Sequence, residues 1–74
     1  MESLKNKHTS AIRLIELTEA FERRLNVQIG YKNSWHPFSI QPIEGVYIEI
    51  NRLNIALAYI EKRYLKLLKE INNQ

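Results

Sequence analysis

The chain has no cysteine, no aspartate, and only two glycines and two prolines among its 74 residues. Without cysteine there is neither a disulfide nor a thiolate zinc site. A single core in so short a chain seldom supplies more than about 3–5 kcal/mol. With the covalent staple excluded, association with another chain is the simplest remaining source of stability. The eight acids are all glutamate, which favours helix interiors over turns and caps. No apolar run approaches the roughly 18 residues of a membrane span, and the polar opening MESLKNKHTS does not read as a signal peptide. These absences predict one small domain, cytoplasmic and without a membrane anchor.

What is present is periodic. From Ser10 to about Val27, Ala11, Leu14, Leu17, Thr18, Phe21 and Leu25 recur at spacings of three and four, with charged residues filling most of the gaps. This is the pattern of an amphipathic helix over about 10–27, with Thr9 or Ser10 as N-cap. Leu4 extends that helix backward, or residues 1–7 form a frayed tail. A second and more regular stretch, about 46–71, alternates four and three through Val46, Ile50, Leu53, Leu57, Ile60, Tyr64, Leu67 and Ile71. That seam belongs to a helix packed lengthwise on another helix. Leu65 and Leu68, with Ile48, Ile55 and Tyr59, widen its apolar circumference beyond what one partner helix covers. A second copy of the chain is the expected cover, with Ile50, Leu57, Tyr59, Tyr64 and Leu68 at the dimer interface.

Between the two, about 28–45 reads as an irregular connector that holds both prolines, both glycines and the only tryptophan. Pro37 and Pro42 cannot lie inside a continuous helix. Gln41 as cap, Pro42 at the first helical position and Glu44 in the first turn suit a helix start. The predicted fold class is mainly α: a two-helix hairpin with a proline-rich, aromatic connector, dimerising through the long second helix. An α-β-β-α arrangement stays open, because Val27, Ile29 and Tyr31, and again Val46, Ile48 and Ile50, also alternate with the period of strands.

No catalytic or cofactor motif is present. His8 and His36 are far apart in sequence, with no His-x-x-x-His spacing and no acid-rich loop, so no metal site is predicted. Ser34 and Ser39 lie near His36 without a nucleophile elbow, and Glu44 and Glu49 lack the enclosed pocket that acid-base catalysis requires. The chain is therefore read as a non-enzyme without cofactors.

Two binding chemistries remain. Tyr31, Trp35 and Phe38, with Lys32 and His36 beside them, lie in the proline-braced connector and are the residue types that most often anchor a protein interface. Each ring could equally close the core. Arg23, Arg24 and Lys32, together with Lys62, Arg63, Lys66 and Lys69, give a basic surface in a chain of net charge +3, suited to a small dimeric DNA- or RNA-binding regulator. Glutamates interleave with these cations, which is also the look of a solvated helix face.

In its shortness, its lack of a catalytic motif and its Ile-, Lys- and Asn-rich character, exemplified by the tail LLKEINNQ, the chain resembles small phage-encoded inhibitors of host replication or transcription machinery. Inhibitors of the bacterial DNA sliding clamp are the specific group. The resemblance is one of overall character. Gln28-Ile29-Gly30-Tyr31 and Gln41-Pro42-Ile43 match only fragments of a clamp-binding peptide, lacking its terminal apolar pair. It implies a protein that occupies the surface or channel of a host target, in the host cytoplasm.

Overall fold

A computed structural model describes residues 4–73. Two α-helices make up nearly all of them: α1, Leu4–Ser34, and α2, Ile43–Asn72. They pack lengthwise as an antiparallel hairpin 56 Å long and about 16 Å across. A helix of 31 residues is roughly 46 Å long at about 1.5 Å per residue, so the hairpin is little more than one helix length plus its turn.

The two-helix hairpin is as the periodicity predicts, but its boundaries are wider. Helix α1 starts at Leu4 and passes straight through Thr9 and Ser10. Thr9 does not cap; its hydroxyl donates to the Lys5 carbonyl at 3.0 Å, one turn back inside the helix. Residues 1–3 of the expected tail lie outside the described residues, while Leu4 to Lys7 are helical. At its other end α1 continues past Val27 to Ser34, carrying Tyr31 and Lys32 into its last turns. The reason is that Gly30 lowers helix propensity by only about 1 kcal/mol, whereas Pro37 stops a helix outright. The strand alternative fails for the same segments. Val27, Ile29 and Tyr31 are helical, and Val46, Ile48 and Ile50 are helical in α2. Pro42 is the cap itself, extended at φ −62° and ψ 134°, with Ile43 as the first helical residue.

Few side chains are buried. Val46, Leu53 and Ile60 of α2, seven residues apart, and Ala11 of α1 form the apolar core; Ala11 continues at spacings of three and four into the half-buried Leu14, Thr18, Phe21 and Leu25 of α1. Leu17, expected on this face, falls on its flank and is 45% exposed. The seam position that sequence reading passed over is Gln28, which is fully buried.

Candidate functional site

The connector is short, residues 35–42, and internally braced. His36, Pro37, Phe38 and Ser39 form a β-turn, closed by the Ser39 amide donating to the His36 carbonyl at 2.9 Å. Proline at the second turn position presets the required φ. The turn is locked further by the His36 amide donating to the Ser39 hydroxyl at 3.2 Å and the Phe38 amide donating to His36 Nδ1 at 3.3 Å. The His36 and Phe38 rings lie 6.2 Å apart between centroids. Trp35 is half-buried, and its indole N–H donates to the Gln41 carbonyl at 2.8 Å, spanning the connector.

This bracing separates the aromatic residues by role. Trp35 ties the connector to itself. Phe38 points away from the hairpin at 90% exposure, and its neighbour Ile40 is fully exposed. Tyr31, on the last turns of α1, lines a shallow concavity together with Trp35, Ser39 and Ile40. Lys32 is exposed beside it. The expected contact residues Tyr31, Lys32, Trp35, His36 and Phe38 are therefore grouped at one end of the hairpin. Ile40 belongs with them and was missed, because a lone isoleucine between polar residues gives no periodic signal.

Just behind the tip the two helices are clamped by polar groups. Arg24 binds Glu49 through two parallel hydrogen bonds, Nε to Oε1 and Nη2 to Oε2, the second at 3.2 Å. Gln28 donates to Glu49 Oε2 at 2.6 Å. The Arg24 bonds hold the Glu49 carboxyl below the usual carboxylate range and raise the guanidinium in turn. Gln28 Oε1 is buried with no hydrogen-bond partner. This ion pair is the one found among the described residues, so Arg24 is withdrawn from the basic surface expected of it.

Along the shaft, two grooves run between the helices on opposite sides. One is lined by Glu19, Glu22 and Glu61 over Ile15, Leu57 and Tyr64, with no cation. The other holds Arg13, Arg63 and Lys66 with Glu70, beside Tyr59 and Leu67. Of the residues expected at a dimer interface, Ile50, Leu57 and Tyr64 are half-buried along the seam. Leu68 is half-buried one position beyond it, and Tyr59 is exposed.

Compared with family models, curated proteins and solved structures, the chain matches none. Among the described residues, no helix is long and apolar enough to cross a membrane. No group of three or more His, Asp or Glu among them converges on a metal-sized site.

Proposed function

We propose that the chain is a non-enzymatic protein-binding module that engages a larger protein through the tip of its hairpin. The supporting observation is the pair Phe38 and Ile40, almost wholly exposed on a turn that hydrogen bonds hold in one shape. Apolar side chains kept out in water contribute nothing to the fold. On a preformed turn they lose little entropy when a partner covers them. Tyr31 and Lys32 at the rim supply a polar edge of the kind that surrounds an interface anchor.

Within this reading the target class is a host replication or transcription protein, the sliding clamp being the specific candidate, and the action is inhibition by occupying its surface. The test is titration of the purified chain against a bacterial sliding clamp, with Phe38→Ser/Ile40→Ser as the comparison. Binding by the natural chain that the double variant loses supports both tip and target. No binding by the natural chain removes the clamp as target, and equal binding by both chains removes the tip.

A second reading rests on the cationic groove. Arg13, Arg63 and Lys66 converge there, with Lys62 and Lys69 on the adjoining flank of α2. A DNA- or RNA-binding regulator would use these groups on phosphates, and its affinity for arbitrary duplex would fall steeply with added salt. An apolar tip contact would change little over the same range.

A further inference from the structure

The hairpin carries more surface than a finished molecule of its mass. A compact monomer of 8.8 kDa exposes about 4,800 Å². This chain exposes 6024 Å². Covering the difference of about 1,200 Å² on each of two copies would bury about 2,400 Å², within the range of obligate homodimers.

The excess is patterned so that one chain complements another. The outer stripe of α2 changes character along its length, from Ile48 and Ile55 to Lys62 and Lys69, all exposed and seven residues apart. The flank of α1 beside the acidic groove changes in the same direction, from Ile12 and Ile15 to Glu19 and Glu22. Laid parallel, the two stripes set Ile55 against Ile12 and Ile15, and Lys62 against Glu19 and Glu22.

We propose that a second copy of this chain lays its α2 in the acidic groove, and reciprocally, forming a two-fold dimer whose two α2 helices run antiparallel. The register inside each hairpin fixes where the axis falls. Glu49 is gripped from Arg24 and Gln28, one turn apart, and so stands level with Asn26. Further along α2, the turn from Asn54 to Leu57 comes beside Phe21 and Glu22, and Leu57 lines the same groove as Glu19 and Glu22. Lys62 of one copy, set against Glu19 and Glu22, therefore stands level with the Asn54–Leu57 turn of the other, and the two-fold axis falls at the turn of α2 that presents Ala58. Ala58 is exposed, and a methyl group there lets two helices approach closely.

Sedimentation of the full chain at tens of micromolar gives twice its mass. Glu22→Lys and Lys62→Glu each weaken association at least tenfold, and the double variant restores it to within about threefold of the natural chain. In the cysteine-free background, Ala58→Cys forms an interchain disulfide on mild oxidation, whereas Glu16→Cys, on the far side of α1, does not. Ala58→Cys alters no charge and, at an exposed position, no packing within the hairpin, so its result stands even where a charge variant fails to fold. A single-chain mass, a double variant no better than its parents, or equal cross-linking at both positions overturns the proposal. A monomer that binds a basic helical peptide in the acidic groove overturns it equally, by assigning the groove to another partner.

Discussion

The guanidinium of Arg24 lies edge-on against the carboxylate of Glu49, two nitrogens to two oxygens, across the interface of α1 and α2. With Gln28 on the same carboxylate, this fixes which turn of α2 stands beside which turn of α1. A shift of one helix by a heptad would keep leucines opposite aliphatic residues but would strand Glu49. The pair works mainly by excluding alternatives, since an exposed ion pair adds little stability.

The pH dependence follows from the direction of the Glu49 shift. Its folded carboxyl is held low by Arg24, so it releases its proton more readily in the folded chain than in the unfolded one. The contribution is complete above the unfolded value of about 4.3, and is lost as pH falls through the lower folded value. Chemical denaturation of the natural chain and Glu49→Gln, followed from pH 7 to pH 2, gives a stability gap that closes only at the acid end. A gap independent of pH would show that the carboxylate charge is not what matters.

Gln28 is the costly member of the clamp. Its buried Oε1 has no partner, and an orphaned buried acceptor costs about 1–3 kcal/mol. Gln28→Leu removes it and fills the seam with hydrocarbon, while Arg24 keeps its hold on Glu49. The expected result is stabilisation by about 1 kcal/mol, a rise of about 4–8 °C in Tm at fixed protein concentration. A lower Tm would mean that the Gln28 bond to Glu49 outweighs the orphaned oxygen.

Gly30 lies inside α1, with nothing within 4 Å of where a Cβ would sit. Gly30→Ala should stabilise the chain by about 0.4–1 kcal/mol, chiefly by narrowing the unfolded ensemble. Circular dichroism melts of the two chains check this. Destabilisation would show that α1 needs freedom at that position.

Two leucines separate burial from exposure. Leu53 is part of the small core and Leu17 lies on the flank. Leu53→Ala should cost about 2–5 kcal/mol, enough to unfold much of so small a domain, whereas Leu17→Ala should lose far less. Urea titrations of both, read by helicity, make the comparison. Equal losses would mean that the flank is as thoroughly packed as the seam.

The sequence by itself determined that there are two helices and that Val46, Leu53 and Ile60 share one apolar stripe of α2; that Ile50, Leu57 and Tyr64 lie along the seam with α1 was left to the structure. The spacing of Val46, Leu53 and Ile60 and the breaking power of Pro37 and Pro42 act locally, and local rules can be read from order alone. It left the length of α1 undecided, because one glycine and a short alternating run from Val27 to Tyr31 look alike in a strand, a loop and a helix. Only the tertiary structure decided that Gln28 is buried, that Trp35 braces the connector while Phe38 and Ile40 leave it, and that Arg24 belongs to Glu49. Each of these depends on which residue of one helix stands level with which residue of the other. That register is a property of two distant segments at once, and the pattern within either segment does not contain it.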